Sequence, residues 1–295
     1  MSVVIRVACG PGETRVAAVD GDALLDYAIG RPGAPDGVGD VHQGRVIARV
    51  PALGGAFVAL DGAEGFLPDT EGGAALTEGA TTLVRVTRAA QGGKGPRLTA
   101  RVTGPPRRGP GAVERLASLH PGAPVWADDP AMVAALRPAL GERIALMRGP
   151  AFDAALEAEV EALGEPEVVL PGGGRLTIYS TPALTAIDLD AGGAAASRSG
   201  KTAMHRVLNE AALPVLARQI RLRDLSGAIL VDWAGLSPRK RAAFGPGLVA
   251  ALAGDPMRPR LLGFTNLGLA EIVRTRVHPP LHEMLAGPHA AGLLA

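Results

Sequence analysis

Apolar and polar residues alternate along three short stretches at the start of the chain. The stretches VVIRVA, TRVAAVD and ALLDYAI lie between residues 3 and 29, and glycine-containing breaks at 10–12 and 21 separate them. Alternation with a period of two predicts β-strands, and glycine between two such runs predicts a hairpin turn. The chain therefore begins with small β-hairpins.

A second group of short alternating stretches follows the segment GRPGAPDGVGD at 30–40, which reads as a linker. These stretches are RVIARV, GAFVAL, GFLP, TLVRVTR and RLTARVT, and they end at residue 103. Several short strands with glycines at the turns predict a small β-barrel.

The pattern changes after a second proline- and glycine-rich break at 104–112. Helices are predicted at about 128–140, 152–163 and 202–223, with Pro214 expected to kink or break the third. Ser237-Pro238 predicts a helix start, and another helix is predicted from about residue 266. Strands RIALM, RLTIYS, 228–232 and 260–264 lie among these helices. This alternation predicts an α/β domain whose sheet is covered by helices.

Composition narrows the class of protein only slightly. The 295 residues include 30 Lys and Arg against 29 Asp and Glu, so net charge favours no class of partner. A single cysteine, Cys9, rules out a disulfide within the chain and a cysteine-based zinc cage. The sequence contains no long uncharged apolar run that predicts a membrane span, and its start does not resemble a signal peptide, so we expect a cytoplasmic protein.

Two predicted strands end in aspartates, and these are the candidate chemical groups. ALTAIDLDAGG at 183–193 carries Asp188 and Asp190, and GAILVDWAGL at 227–236 carries Asp232. Ligands collect at the carboxyl ends of strands in open α/β sheets, and Mg²⁺ prefers hard oxygen ligands. A magnesium ion held there would polarise a phosphodiester and activate water. The alternative is that these aspartates only form a turn and a helix cap.

Several ordered motifs resemble the ribonuclease E/G family. They are LTAIDLDAGG, then ARQIRLRDLSGAILVDW at 217–233, then NLGLAEIVRTR at 266–276. Earlier segments are similar to the same family: DVHQGRVIARVPALGGAFVALDGAEGFLP and GGKGPRLT resemble its S1 domain, which is an OB-type barrel. The resemblance covers roughly residues 3–283.

The resemblance implies a role for individual residues. Asp188 and Asp232 match the two magnesium-binding aspartates of the family, and Asp190 stands where the family has an asparagine. This extra carboxylate could add a metal ligand or repel the scissile phosphate. Mn²⁺ is a possible substitute for Mg²⁺.

The resemblance also implies RNA-binding residues. Phe57 and Phe66 match S1 aromatic residues on which bases stack, and Lys94 matches a basic S1 residue. The alternative for both rings is the barrel core. Arg221 and Arg223 lead into the strand that carries Asp232, and we predict that they contact RNA phosphate.

Two departures from the family change what we expect. Only about twenty residues, GPPRRGPGAVERLASLHPGA, stand where larger members insert a domain that senses the 5′-monophosphate of RNA. The paired cysteines of the family's zinc link are also missing. We therefore expect no Zn²⁺ and no zinc-linked dimer.

The predicted fold is α/β with an inserted barrel. An RNase H-like portion comprises residues 1–38 and 104–165, the S1 barrel 39–103, a DNase I-like catalytic domain 166–283 and a tail 284–295. The predicted function is a magnesium-dependent endoribonuclease that cuts single-stranded RNA, leaves a 5′-phosphate and acts in RNA processing or decay. The alternative is a catalytically silent RNA-binding protein of the same fold. A small-molecule enzyme lacks support, because no glycine-rich phosphate loop or nucleophile elbow is present.

Overall fold

The computed structural model describes residues 2–192 and 201–286, and its first sheet takes strands from both sides of the barrel segment. The strands are β1 (Val4–Gly10), β2 (Glu13–Asp20), β3 (Ala23–Gly30), β9 (Val125–Ala127) and β10 (Ile144–Leu146), in the order β10-β9-β1-β2-β3. The helices are α1 (Ala112–Leu119), α2 (Pro130–Leu140) and α3 (Ala154–Ala162). Helices α1 and α2 pack on one face of this sheet, and α3 packs on the other. The predicted hairpins and the helices near 128–140 and 152–163 are confirmed.

A closed five-stranded barrel lies between these parts of the chain. Its strands are β4 (Val41–Val50), β5 (Gly55–Ala59), β6 (Glu64–Pro68), β7 (Thr81–Arg88) and β8 (Arg97–Thr99), in the order β4-β5-β6-β8-β7. Each of the five strands contributes buried residues to the barrel core, among them Val46, Val58, Leu67, Val84 and Leu98. The predicted barrel is confirmed, and its closure is consistent with an S1 or OB-type fold.

The second sheet has six strands. They are β11 (Glu167–Val169), β12 (Arg175–Ser180), β13 (Leu184–Asp190), β14 (Gly227–Asp232), β15 (Arg260–Phe264) and β16 (Ala270–Arg274), in the order β11-β12-β13-β14-β16-β15. The helices are α4 (Lys201–Leu222), α5 (Pro238–Arg241), α6 (Gly245–Leu252) and α7 (Leu281–Ala286). Helices α4 and α6 cover one face, against which Ile187, Val231 and Ile272 are buried. Short 3-10 turns lie at Pro51–Leu53, Asp69–Glu71, Gly141–Arg143 and Ala242–Phe244.

The helix predicted from residue 266 is wrong, because residues 270–274 form strand β16. Buried and half-buried residues alternate along this strand, and Gly268 at φ 85° makes the turn that returns the chain from β15. This period of two is the pattern of a strand. Arg274 therefore lies in the sheet, buried, where its Nε donates to Oδ2 of Asp255 at 2.7 Å.

Of the kink or break predicted at Pro214, the break does not occur, since α4 is continuous from Lys201 to Leu222. Proline cannot donate a hydrogen bond to the carbonyl of Glu210. Pro214 and Glu210 are both exposed, so water can satisfy that carbonyl, while Leu213 and Leu216 on the other side stay buried in the core. Core packing thus keeps the helix intact.

The structure also has elements that the sequence pattern did not predict, among them α1, β9, β11 and α7. Helix α1 lies in the proline- and glycine-rich joining segment and buries Val113, Leu116 and Ala117 against the first sheet. Strand β9 is only three residues long and pairs with β1. No helix within residues 2–192 and 201–286 is both long and apolar enough to span a bilayer.

Candidate active site

Asp188 and Asp232 lie side by side at the ends of two neighbouring strands. Strands β13 and β14 are parallel, and Asp188 is the register partner of Asp232. Paired residues of neighbouring strands point to the same face, and the strands are about 4.8 Å apart. The residues before them, Ile187 and Val231, are buried on the opposite face under α4 and α6. The two carboxylates therefore share the open face of the sheet, where a large substrate can reach them.

The electrostatics of Asp188 reflect this closeness. Burial and the negative charges of Asp232 and Asp190 raise its pKa above the usual value, although Arg175 and Arg241 oppose the shift. Like charges held together favour proton uptake by one of them. A divalent cation would relieve the same repulsion, so the donor set suits a cation.

Arg241 fixes the orientation of Asp232. Its Nη1 donates to Oδ1 of Asp232 at 2.5 Å, and its Nε donates to the carbonyl of Leu236 at 2.7 Å. Arg241 is the last residue of α5, which begins at Ser237-Pro238 as predicted. Among the described residues, the second carboxylate oxygen of Asp232 accepts no hydrogen bond. That oxygen is therefore available to a ligand.

Asp190 is engaged by other groups. Its Oδ2 accepts from Nη2 of Arg175 at 2.9 Å, and its Oδ1 accepts from the backbone N–H of Gly192 at 3.0 Å. The Gly192 hydrogen bond and Arg175 together lower the pKa of Asp190. No group of three or more metal-ligating side chains occurs in the part of the chain that the structure describes. A cation here would thus have two carboxylate ligands, with water and phosphate filling its shell, which is an arrangement that Mg²⁺ accepts.

The chain segment after Asp232 is held by a residue to which the sequence analysis gave no role. Asn209 on α4 is fully buried, its Nδ2 donates to the carbonyl of Ala234 and its Oδ1 accepts from the N–H of Ala234, both at 3.1 Å. The ring of His205, one turn earlier, packs on Gly235, where a Cβ would lie 1.9 Å from the ring. The sequence signal that could have identified Asn209 is an amide side chain within the buried stripe of a predicted helix.

The structure places Arg221 and Arg223 away from the carboxylates. Nε and Nη2 of Arg221 each donate to a carboxylate oxygen of Asp26 in β3 at 2.5 Å. Arg223 is buried, its Nε donates to Gln219 at 2.7 Å and its Nη1 donates to the carbonyl of Glu165 at 2.6 Å. These guanidinium groups join α4 to the first sheet and to the segment after α3. Both guanidinium groups are engaged by other groups of the protein, and contact between them and RNA stays a prediction.

The predicted stacking residues form a pair on the outside of the barrel. Phe57 in β5 and Phe66 in β6 are register partners, and their ring centroids are 5.6 Å apart at an interplanar angle of 67°. Both are half-buried and stand outside the barrel core. Lys94 is exposed in the loop between β7 and β8. The core alternative for the rings is therefore not what the structure has, and RNA contact by all three residues stays a prediction.

Comparison with known proteins agrees with the motifs. The profile of the Ribonuclease E/G family matches residues 126–277, which include both aspartates of the site. Ribonuclease E of Escherichia coli (strain K12) is 38% identical over 159 residues, which are 51% of this chain and 15% of that protein. Ribonuclease G of Haemophilus influenzae is 31% identical over 152 residues, which are 50% of this chain and 31% of that protein.

A third relative, Ribonuclease E of Nostoc sp., is 33% identical over 141 residues, 47% of this chain and 20% of that protein. The aligned part of the chain thus spans less than a third of the length of each of these relatives. The family profile nevertheless covers more than half of the chain and the whole of the candidate site. The chain belongs to the ribonuclease E/G family.

Proposed function

We propose that the protein is a magnesium-dependent endoribonuclease that cleaves single-stranded RNA. The observation that carries this proposal is the register pairing of Asp188 with Asp232 on the open face of the second sheet. The raised pKa of Asp188 and the match to a family whose members include proteins named Ribonuclease E and Ribonuclease G support it.

Asp188 and Asp232 would hold the metal, and the chain prepares them for it. The strand backbone fixes Asp188. Arg241 fixes one oxygen of Asp232, and among residues 2–192 and 201–286 the other oxygen accepts no hydrogen bond. When bound, Mg²⁺ supplies a Lewis acid that makes phosphorus more electrophilic and water more nucleophilic. The positive charge of Arg241 beside the site would also favour an approaching phosphate, and the barrel would hold the rest of the strand.

Finer features of the proposal come from the family resemblance. They are cleavage that leaves a 5′-phosphate, a role in RNA processing or decay in the cytoplasm, Mn²⁺ as a substitute metal, and RNase H-like and DNase I-like portions around the S1 barrel. The domain boundaries and the expected lack of a zinc-linked dimer also remain proposals.

Asp190 would modulate the site without being required. Replacing it with asparagine removes one charge that raises the pKa of Asp188, while an amide oxygen can still accept from Gly192. We therefore expect Asp190→Asn to retain or increase cleavage. A loss of cleavage greater than about tenfold, which is 1.4 kcal/mol of transition-state stabilisation, would show that the Asp190 carboxylate takes part in the reaction.

The direct test uses a short fluorescent single-stranded RNA with Mg²⁺ or with EDTA. We expect internal cleavage with Mg²⁺ only, and downstream products that a 5′-phosphate-dependent exonuclease degrades. RNA binding without cleavage would instead favour a silent RNA-binding protein. That second candidate draws support from the ion pairs Asp232–Arg241 and Asp190–Arg175, which neutralise two of the three carboxylates.

A further inference from the structure

One row of side chains crosses the outer face of the barrel and changes from aromatic to basic. Phe57 pairs with Phe66, Phe66 pairs with Arg97, and Arg97 pairs with Arg88, so the row crosses strands β5, β6, β8 and β7. Register partners point to the same side of a sheet. The two rings and Arg97 therefore follow one another on a single surface. The pairing of β7 with β8 shifts register between Val86 and Arg88, and the half-buried Arg88 lies close enough to Arg97 for their charges to interact.

A third arginine reaches the end of this row from the second sheet. The backbone N–H of Ala89, next to Arg88, donates to the carbonyl of Val277, next to Arg276, at 2.8 Å. The guanidinium of Arg276 packs over Gly227 at the start of β14, where an added Cβ would lie 2.4 Å from its Nε and Nη2. We call Arg88, Arg97 and Arg276 the arginine cluster.

The arginine cluster has unused capacity for an anion. Within residues 2–192 and 201–286, no carboxylate oxygen lies within 4.0 Å of a guanidinium nitrogen of the three arginines, and Nε of Arg88 is buried with no hydrogen-bond partner. Residues 193–200 and 287–295 contain no aspartate or glutamate. Glu283 lines a small cavity with Arg276, but its Oε2 accepts from the N–H of Gly92 at 3.4 Å. Among the described residues, no carboxylate therefore forms an ion pair with the cluster, although Glu283 lies nearby.

This arrangement disfavours the charged form of Arg88 in particular, because Arg88 is half-buried whereas Arg97 is exposed to solvent. Burial and the charges of Arg97 and Arg276 lower the pKa of Arg88. A buried guanidinium donor without an acceptor costs about 1–3 kcal/mol or more. Phosphate oxygens are the acceptors that match the fork of donors on arginine.

We propose that the arginine cluster binds a phosphate of the RNA strand whose bases stack on Phe57 and Phe66. This inference rests on the proposed function and adds a second contact point, at the junction of the barrel and the second sheet. Five residue-to-residue steps along β14, from 227 to 232, separate the cluster from Asp232, which is about 16.5 Å at roughly 3.3 Å per step. The bound phosphate is therefore not the scissile one, and it sets the path of the strand from the barrel to the carboxylates.

The test measures RNA affinity in EDTA, so that cleavage plays no part. Fluorescence anisotropy with a labelled single-stranded RNA is compared for wild type, Arg97→Gln, Arg276→Gln and the control Arg45→Gln. Arg45 is exposed on the barrel, as Arg97 is, but lies in β4, outside the row. We expect about three- to tenfold weaker binding for each cluster variant and less than about twofold for the control. The slope of log affinity against log salt should fall by about 0.7 for each lost phosphate contact.

Two RNAs that differ only in a 5′-monophosphate or a 5′-hydroxyl group identify the phosphate. Equal losses with both RNAs support an internal phosphodiester, whereas a loss only with the monophosphate assigns the cluster to the terminal phosphate and overturns the proposed strand path. Losses no larger than that of Arg45→Gln, in variants with unchanged thermal unfolding, overturn the proposal. Because binding is measured without metal, this result is separate from whether the wild type cleaves RNA with Mg²⁺.

Discussion

Removing the side-chain amide of Asn209 should destabilise the chain segment that carries Asp232. The amide makes two hydrogen bonds to the backbone of Ala234, and both residues are buried. The variant Asn209→Ala leaves the N–H and the carbonyl of Ala234 without their partners. No charge changes, so the effect reports the loss of these hydrogen bonds together with the space that the amide vacates.

The expected cost follows from these two backbone groups. A buried donor or acceptor left unsatisfied costs about 1–3 kcal/mol. Water that enters the vacated space compensates in part, so we expect a loss of about 2–4 kcal/mol in the free energy of unfolding. For a domain of about 150–250 residues, each kcal/mol lost from the free energy of unfolding lowers the melting temperature by roughly 2–4 °C.

The neighbouring residue provides a matched control for this measurement. Glu210 is exposed, and its Oε1 accepts from Nε of Arg206 at 2.9 Å in an i,i+4 pair. An exposed pair of this kind contributes about 0.3–0.5 kcal/mol, so Glu210→Ala should hardly move the melting curve. Thermal unfolding followed by circular dichroism compares the two variants. If Asn209→Ala melts within about 1 °C of Glu210→Ala, the amide does not hold this segment, and the reasoning is refuted.

Three further predictions concern RNA binding, pH and the RNA 5′ end. Phe57→Ala and Phe66→Ala should each weaken RNA binding by about 1–3 kcal/mol in an anisotropy titration, and each should keep the melting temperature of wild type. If either variant unfolds, its ring is part of the structural core instead. Burial alone would raise the pKa of Asp36, but hydrogen bonding to His278 and the charges of His278 and Arg115 lower it overall. The stabilisation from Asp36 is therefore present above its unfolded pKa and is lost as pH falls through the lower folded pKa. Asp36→Asn should lower the melting temperature at pH 7, and the difference from wild type should disappear in melts at acid pH. A difference in melting temperature that stays constant with pH would contradict this. Cleavage rates of 5′-monophosphate and 5′-hydroxyl RNA should differ by less than about tenfold, and a hundredfold preference would reveal a sensing pocket.

Local sequence pattern was sufficient to predict the barrel and the strands of the site. The apolar runs before Asp188 and Asp232 are strands buried under helices, and their parallel pairing follows from the helix between them. The alternation in residues 45–50 likewise marks a barrel strand. In these segments the residues that the apolar pattern marks as buried are the buried ones, so the pattern alone predicts the strand.

Other features depend on contacts that no local pattern contains. Arg221 binds Asp26, which lies 195 residues earlier, so its structural role is visible only in the folded chain. The role of Asn209 likewise depends on Ala234 in another element. Strand β16 was mistaken for a helix, and its buried position 274 is an arginine paired with Asp255, which an apolar pattern does not mark as buried. The structural role of such residues depends on contacts with residues far away in the sequence.

The most direct test of the central claim combines cleavage and binding in Asp188→Asn and Asp232→Asn. Each substitution removes a negative charge from the open face of the sheet and changes side-chain volume little, so the barrel contacts to RNA should remain. We predict that the wild type cleaves RNA at low millimolar Mg²⁺. Each variant should cleave at least about a thousandfold more slowly, which is about 4 kcal/mol of transition-state stabilisation. The RNA affinity of each variant in EDTA should stay within about threefold of wild type. Cleavage at the wild-type rate by both variants would contradict the assignment of these two carboxylates as the metal site.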